Sequence, residues 1–513
     1  MFPWKSAFSA VMVCLGALLV LLPLNLAAPP GDDEAWVWRA AGEMREAGSF
    51  LPLLNGRVVG GANPLTMLGA CAVPSTGDVP PRLINGALGC ILAVGTFLYA
   101  HRLFGLKSAL ASSVALLTTL GFQSTYGTLN LAAIPVTFSA CAFGLFSLAY
   151  LERLPRWCYH ASYVTAALAF ITGGAPPLVF FAAASALTVV LDLAPSRFFS
   201  VHLVFGAAVV SLALISYLTA FRVLGGPGYA SASLFAGEHT GLFGSLLSVF
   251  SSGIPWVFML IPAFIQGDGP SDQDRWRRLL PLRIACIAAP LALWLTGRSM
   301  PGMSALLVAP ASVLAGAWAA SSLEGTTRRR PIDSWMLLCS GISVLAVASA
   351  AMIRTALSDD GVSIALAAWA AVFTAMALAF AVLSIKRRTV GRLVLVAACS
   401  ACLGWMTASS EPWGAWERKA AFARDASVHS PLVVHEDDLV MRGLLGLAGT
   451  GCMVVPRSAV PLGAKAYLAA SSHDLDGLVT SLSERMEATV VDALHERTSY
   501  AVILIGPPPE VRP

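Results

Sequence analysis

Charged residues are scarce in this sequence. Of its 513 residues only 12% are Asp, Glu, Lys or Arg, whereas 57% are hydrophobic. A soluble globular protein carries about 25% charged residues, because water must wet its surface. This deficit excludes a water-soluble globular protein and indicates that most of the surface faces lipid. The net charge of +4 is small. We attribute it to basic loops that orient the chain in a membrane and not to a nucleic-acid binding surface.

Metal-binding cysteine patterns are also absent from the sequence. There are ten cysteines with a single CxxC spacing, at Cys399 and Cys402, and no second Cys or His pair that would complete a typical zinc site. Cys399 and Cys402 lie three residues apart in an apolar run, where small packing residues are expected rather than ligands. The sequence shows no internal repeat and no low-complexity stretch.

Long apolar runs fill the first four-fifths of the chain. A membrane-spanning helix needs roughly 20 apolar residues, and we predict about thirteen such helices, making this part an all-α polytopic membrane domain over residues 1–408. The runs lie at about 8–27, 84–100, 108–122, 130–150, 158–175, 177–194, 201–221, 244–265, 281–297, 304–322, 334–353, 362–385 and 391–408.

The first apolar run allows two interpretations. Lys5, the apolar stretch and the small residues near Ala27–Ala28 are typical of a secretory signal peptide. The run is longer than the usual apolar part of a signal peptide, however, and a dozen further runs follow it. We therefore favour a retained membrane helix.

The loop charges predict the orientation of the chain. With the N-terminus in the cytoplasm, seventeen Lys and Arg residues lie in or beside the inside loops and seven in the outside loops. The positive-inside rule favours this arrangement. The sequence thus predicts a multi-pass protein of a bacterial inner membrane.

Two outside segments are long. The first is a loop over residues 28–83. The second is the tail over residues 409–513, which follows an odd number of predicted spans and is therefore expected in the periplasm. Within the tail, SPLVVHED and SYAVILIG are typical of strands and HDLDGLVTSLSERM of a helix. We predict that the tail is a small extracytoplasmic α/β domain.

The first outside loop opens with an amphipathic helical pattern. Trp36, Ala40 and Met44 recur every fourth residue, while Glu43 and Glu46 fall on another side. Such a pattern is typical of a helix that lies along the membrane surface with its indole rings at the depth of the lipid headgroups.

Three carboxylates, Asp32, Asp33 and Glu34, stand at the start of this helix. One interpretation is helix capping with a favourable dipole interaction. The other is a functional carboxylate just outside the bilayer, since adjacent acids repel each other, which would raise at least one pKa and suit a general base. The residues alone leave both interpretations open.

Short motifs in this loop and beyond it resemble one family of enzymes. They are Asp33-Glu34-Ala35, Glu43-Met44, Gly48-Ser49-Phe50 and Leu54-Asn55-Gly56, followed later by FITGGAPPL at 170–178 and GRSMPGMSALLVAP at 297–310. Their order and placement resemble the GT-C class of membrane glycosyltransferases, especially the aminoarabinose transferase and protein mannosyltransferase group. The resemblance extends over essentially the whole chain.

The resemblance implies a specific chemistry. A polyprenyl-phosphate sugar donor would sit in the membrane with its head group at the outer face, and the acceptor would be a lipid, glycan or protein. Asp33 would act as the base or orient the acceptor, with Asp32 and Glu34 beside it and Glu43 as an accessory residue. The polyprenyl phosphate would be the leaving group, stabilised by arginines and by a divalent cation if one is used.

The sequence departs from the family at two positions where cations are expected. The Glu-Lys-Pro-Pro-Leu motif is replaced by Gly61-Ala62-Asn63-Pro64-Leu65, and the turn at 172–176 lacks its lysine. Arg57, Arg222 and Arg298 lie on the outside near span ends and are our candidates to bind the donor phosphate. The alternative for each is an interface residue whose charged end reaches toward water.

A Glu-His pair, Glu238 and His239, lies in a glycine-rich outside loop. It could complete an acid/base set or bind a metal, or it could simply be solvated.

Two other classes of protein compete with the transferase. One is a non-catalytic relative of the same fold that has lost the charged motif. The other is a lipid or glycolipid transporter, although the apolar runs contain almost none of the mid-span acids that ion-coupled transport requires.

Overall fold

A computed structural model gives the structure of the protein. It describes residues 4–27, 32–54, 57–58, 64–71, 82–192, 201–225, 238–239, 241–265, 273–299, 302–323, 331–358, 364–385, 389–409, 432–435, 453–455, 466–472, 488–495 and 499–505.

Helices dominate the described part of the chain up to residue 409. They are α1 (Trp4–Ala27), α2 (Asp32–Glu46), α3 (Pro64–Cys71), α4 (Arg82–Phe104), α5 (Leu106–Leu117), α6 (Leu120–Tyr126), α7 (Ala133–Tyr150), α8 (Cys158–Gly173), α9 (Ala175–Leu191), α10 (Val201–Gly225), α11 (Leu242–Ser252), α12 (Leu260–Ile265), α13 (Gln273–Thr296), α14 (Val308–Leu323), α15 (Pro331–Ser358), α16 (Ile364–Ile385) and α17 (Thr389–Ser409). Two 3-10 turns, Trp256–Met259 and Met303–Leu307, precede α12 and α14.

Many of these helices are apolar enough to cross a membrane. Among the described residues, seven pass by length and composition, and an eighth if α11 and the bent segment after it count as one span. Four shorter apolar helices accompany them, at Leu106–Leu117, Ala175–Leu191, Ala367–Leu383 and Gly391–Gly404. The multi-span helical architecture is thus confirmed, and the number of thirteen spans stays a prediction.

Two predicted spans are not continuous helices. The run at 108–122 breaks between α5 and α6 at Thr118 and Thr119. The hydroxyls of these residues donate to the carbonyls of Val114 and Ala115 at 2.7 and 2.6 Å. The Leu120 amide, the first of α6, donates instead to the carbonyl of Ile254 at 2.9 Å. A contact with a distant segment therefore replaces the helical hydrogen bond.

That distant segment is the second break. The run at 244–265 bends by 99° between α11 and the 3-10 turn Trp256–Met259. Pro255 stands in the bend and has no amide to continue a helix. The Trp256 indole donates to the Thr118 hydroxyl at 2.9 Å, so the two breaks stabilise each other. The hydrophobic pattern did not reveal either break, since both segments remain apolar throughout.

Charged residues join several helices at one end of the bundle, which we call the inner end. Arg277, at the start of α13, forms an ion pair with Asp192 at 3.0 Å, and Tyr150 at the end of α7 donates to the same carboxylate at 2.6 Å. Asp192 follows α9 directly and its side chain is only 8% exposed. This network fixes three helix ends to one another.

The neighbouring arginines extend these contacts. Arg278 donates to the carbonyl of Leu103 near the end of α4 at 3.2 Å, and Arg275 donates to the hydroxyl of Ser321 near the end of α14. A cation is favourable at a helix C-terminus, where carbonyls lack partners. The positive-inside rule predicts that Arg275, Arg277 and Arg278 lie in an inside loop. The structure brings all three to the same end of the bundle.

The described part of the tail is a five-stranded sheet. Its strands are β5 (Leu432–His435), β6 (Met453–Val455), β7 (Ala466–Ser472), β8 (Ala488–His495) and β9 (Ser499–Ile505), in the order β6-β5-β7-β9-β8. β5 is parallel to β6 and β7, and β9 is antiparallel to β7 and β8. Two of these strands, β5 and β9, occupy the segments with strand patterns. The predicted helix at 473–486 lies outside the described residues, so the α/β domain stays a prediction.

Candidate functional site

The outer end of the bundle is where the predicted site residues lie. α4 runs from Arg82 to Phe104, about 35 Å for a helix of this length. Its last turn contacts Arg278 of the inner end, so its first turn lies at the opposite, outer end. The segments that meet there are α2, the start of α4, the turn after α6 and the segment around residues 298–302.

Helix α2 begins at Asp32, so the three acids Asp32, Asp33 and Glu34 occupy its first turn. Their side chains lie outside the described part of the structure. The backbone placement fits both capping and a carboxylate at the outer face. The catalytic assignment stays a prediction.

The apolar face of α2 packs on protein. Val37, Ala40 and Met44 are 0–2% exposed and form one cluster with Met67 of α3 and Leu129. Our expectation that this face rests on the membrane surface is therefore wrong for these residues. The periodicity indicates that one side of the helix is buried, but a protein surface and a lipid surface produce the same pattern.

Glu43 also differs from the expectation of a polar, outward face. It is only 9% exposed, whereas Glu46, at the end of the same helix, is exposed. Both α3 and the short strand that follows α2 contact this helix, so more than one side of it is covered. A carboxylate is thereby held inside the outer end.

The chain after α2 reaches the end of α10. Leu51 is buried in a cluster with Phe170 and Tyr217, and the Phe50 ring stacks on Phe221 with centroids 6.4 Å apart. Arg222 follows Phe221 and is exposed. The first outside loop and one of the predicted arginines are thus brought together.

Two strand pairs carry the other predicted cations. β1 (Leu53–Leu54) and β2 (Arg57–Val58) form an antiparallel hairpin in which Leu54 faces Arg57. In the second pair, β3 (Glu238–His239) lies antiparallel to β4 (Arg298–Ser299), with His239 directly opposite Arg298. The side chains of Arg57, Arg298, Glu238 and His239 lie outside the described part.

The pairing of β3 with β4 joins two separate predictions. Glu238 and His239 were accessory candidates and Arg298 a phosphate-binding candidate, about sixty residues apart in the chain. Opposite residues in an antiparallel pair have Cβ atoms about 5 Å apart. An acid, an imidazole and a guanidinium therefore share one short ribbon beyond the end of α13.

A turn that sequence reasoning missed connects these parts. Thr128, Leu129 and Asn130 follow α6, and the amide of Asn85 in α4 donates to the carbonyls of Thr128 at 2.8 Å and Asn130 at 3.0 Å. Leu129 belongs to the cluster under α2. The sequence did offer a signal for this turn, namely the amide side chains of Asn85 and Asn130 near the outer ends of apolar runs. A polar side chain in a membrane span costs free energy, so its presence there suggests a function.

The motif segments at 170–178 and 297–310 meet beside this turn. A Cβ on Gly302 would lie 2.4 Å from Nδ2 of Asn130, and a Cβ on Gly173 would lie 2.9 Å from the Met303 side chain. These glycines let three separate loops approach closely. The sequence motifs were too short to show that they are neighbours.

One buried arginine was also missed. Arg82, at the start of α4, is only 5% exposed and lies one turn before Asn85. A cation at a helix N-terminus is opposed by the helix dipole, so its burial there calls for nearby negative charge. We count it with the predicted arginines as part of the outer end.

No cluster of three or more His, Cys, Asp or Glu side chains suited to a metal occurs within the described ranges. The first turn of α2 and the β3–β4 ribbon fall outside that search, because their side chains are not described.

Comparison with solved structures identifies the fold. ArnT from Cupriavidus metallidurans bound to undecaprenyl phosphate matches 96% of this chain and 97% of its own, with a TM-score of 0.70 and 16% identity. The apo form of the same protein matches 97% of this chain and 98% of its own, with a TM-score of 0.69 and 19% identity. This chain has the GT-C fold. At this identity the likeness to ArnT shows the fold alone.

No protein-family model matches the chain, and no curated protein matches its sequence. The GT-C fold is thus found by comparison of structures and not by comparison of sequences.

Proposed function

We propose that this protein is a membrane glycosyltransferase that moves a sugar from a polyprenyl-phosphate donor to a lipid, glycan or protein acceptor. Transfer takes place at the outer face of a bacterial inner membrane, with the N-terminus in the cytoplasm and the tail in the periplasm. Nucleotide sugars are not available there, so a donor linked to a membrane lipid suits the location.

The convergence of separate segments at the outer end is the observation that carries this proposal. α2 with its three acids, the turn at Thr128–Asn130 and the β3–β4 ribbon with Arg298 come from distant parts of the chain. The solved ArnT with the same fold holds undecaprenyl phosphate. A polyprenyl phosphate is the corresponding ligand for this chain.

The proposed reaction assigns a role to each group. The Asp33 carboxylate takes the proton of an acceptor hydroxyl, whose oxygen forms a bond to the anomeric carbon of the sugar. The bond from that carbon to the phosphate oxygen breaks, and polyprenyl phosphate leaves with the electron pair. Arg57, Arg222 and Arg298 stabilise the charge on the leaving phosphate. Asp32 and Glu34 beside Asp33 raise its proton affinity by repulsion.

A non-catalytic relative of the same fold is the second candidate. The observation that favours it is the segment at 61–65, where the charged pair of the family motif is replaced by uncharged residues. Such a protein keeps the helices but transfers no sugar.

Deletion of the gene with complementation tests the proposal. Envelope glycolipids and glycoproteins are compared by mass spectrometry after complementation with wild type and with Asp33→Asn at matched protein level. Wild type restores a mass that corresponds to one sugar, whereas Asp33→Asn transfers roughly 10²–10⁴-fold more slowly, the usual loss for a general base. Asparagine still caps a helix, so the variant separates the two interpretations of Asp33.

Glu46→Gln is the matched control, since Glu46 is exposed at the far end of the same helix, and it should restore the mass as wild type does. If Asp33→Asn also restores it fully, Asp33 is a helix cap. If deletion changes no glycan, the non-catalytic relative becomes the better conclusion.

A further inference from the structure

We propose that the side-chain amide of Asn130 is a hydrogen-bond donor to the phosphate of the polyprenyl ligand. This inference rests on the proposed function, because it assumes that a polyprenyl phosphate enters the outer end. Asn130 is half-buried and lies between α6 and α7, where the loops of the outer end meet. It belongs to none of the motifs that resemble the family.

The two ends of this amide have different roles. Its Oδ1 accepts a hydrogen bond from the backbone amide of Ala132 at 2.8 Å. Within the described residues, Nδ2 is turned toward Gly302 and donates no hydrogen bond. One end of the side chain is therefore fixed by the turn, and the other end presents two N–H groups.

The backbone under Asn130 is fixed as well. Asn85, which is 4% exposed, holds the carbonyls on both sides of Leu129. The Thr128 hydroxyl donates to the carbonyl of Ser124 at 2.5 Å, and Asn25 of α1 donates to that of Tyr126 at 3.4 Å. Side chains of α1 and α4 thus hold the turn before any ligand arrives. Such preorganisation lowers the entropy lost on binding.

Gly302 explains how the Asn130 side chain fits beside the 298–302 segment. Its φ is +87°, in the left-handed region, and any Cβ there would lie 2.4 Å from Nδ2. The glycine therefore makes room for the amide itself, which packs against it. Arg298 stands four residues earlier, on the ribbon with His239. A neutral N–H donor and a guanidinium are brought to the same segment.

An anionic oxygen is the acceptor that this arrangement favours. Hydrogen bonds from N–H groups to ionised oxygens are shorter and about twice as strong as neutral ones. Asn130 is a binding residue in this assignment, and Asn85 is a positioning residue.

Asn130→Asp tests the assignment with little change in shape. The carboxylate still accepts from the Ala132 amide, so the structural role of Oδ1 remains, while the donors are replaced by a negative oxygen. Binding of undecaprenyl phosphate to the purified full-length protein in nanodiscs is measured by native mass spectrometry. The expected result is affinity at least tenfold weaker than wild type, with an unchanged Tm.

Undecaprenol, which has the same chain without phosphate, is the matched ligand. Its affinity should be equal for wild type and Asn130→Asp. An equal loss for both ligands would mean that the substitution acts through the fold, and would overturn the assignment. Unchanged binding of undecaprenyl phosphate to Asn130→Asp would overturn it too.

A second variant can test the assignment if Asn130→Asp does not fold. Asn130→Ser keeps a short acceptor near Ala132 but is too short to present a donor at Gly302, and the same selective loss is expected. Should wild type bind undecaprenyl phosphate no better than undecaprenol, both this inference and the polyprenyl-phosphate donor of the proposed function fail. That outcome differs from the failure of Asn130 alone.

Discussion

The two ends of the helix bundle are built from different chemistry. At the inner end, the guanidinium groups of Arg277 and Arg278 reach across to a carboxylate and a helix carbonyl. At the outer end, the turn at Thr128–Asn130 is held by the neutral amide of Asn85 and by close approach at Gly302. The arginines predicted to bind the donor phosphate lie on short strands (Arg57 and Arg298) and in the last turn of α10 (Arg222).

This difference suggests that the bundle uses one end for structural stabilisation and the other for ligand binding. Cations that pair with the protein's own acids and carbonyls are satisfied and stabilise helix ends. A site for an anionic ligand must instead keep its cations for that ligand, so its framework is held by neutral groups. The hydrogen bonds of Asn85 and Asn130 are of this neutral kind, and three predictions test the contrast.

Accessibility from the two sides of the membrane should differ completely between the ends. Ala47→Cys at the outer end and Arg153→Cys at the inner end both replace exposed residues. In whole cells with a permeabilised outer membrane, an impermeant thiol reagent should label Ala47→Cys fully and Arg153→Cys only after the inner membrane is disrupted. Wild-type protein gives the background from its own cysteines. The reverse pattern would contradict the predicted orientation.

Arg298→Gln should weaken ligand binding without loosening the fold. Removing one cation from a phosphate site removes a charge-assisted hydrogen bond, and we expect affinity for undecaprenyl phosphate to fall roughly tenfold or more. The Tm should stay within a degree or so of wild type.

The control for this prediction is Arg153→Gln, an exposed arginine of the inner end, which should leave affinity unchanged. Equal losses for the two variants would mean that general positive charge attracts the lipid, and the contrast between the ends would then be lost.

Asp192→Asn should have the opposite signature, with lower stability and intact binding. It breaks the ion pair with Arg277, whose side chain is 39% exposed, so screening reduces the expected cost to about 1 kcal/mol and a few degrees of Tm. Thermal unfolding in detergent measures the loss.

Asp274→Asn is the matched control because Asp274 is 88% exposed and 3.6 Å from Arg278. An exposed pair of this kind contributes little, so its Tm should not change. A loss of undecaprenyl phosphate binding in Asp192→Asn at equal folded fraction would show that the inner end also acts on the ligand.

The helical segments were predictable because the bilayer imposes a length on them. α4, α16 and α17 lie close to the apolar runs that predict them, since burying backbone in lipid requires a helix of about 20 residues. The start of α2 was predictable as well, from the prolines before it and the acids in its first turn. Packing of α2 on Met67 was not, because a periodic apolar face does not tell protein from lipid.

The sequence by itself determined that this chain is a many-spanning helical membrane protein and suggested the GT-C fold from motifs in their order. Only the tertiary structure decided that the α5–α6 break meets the bend at Pro255, that His239 faces Arg298, and that Asn130 lies under Gly302. The physical reason is the distance along the chain over which the decisive interactions act. Spans follow from the local transfer of apolar residues into lipid, whereas breaks and sites depend on hydrogen bonds and close contacts between residues far apart in the chain.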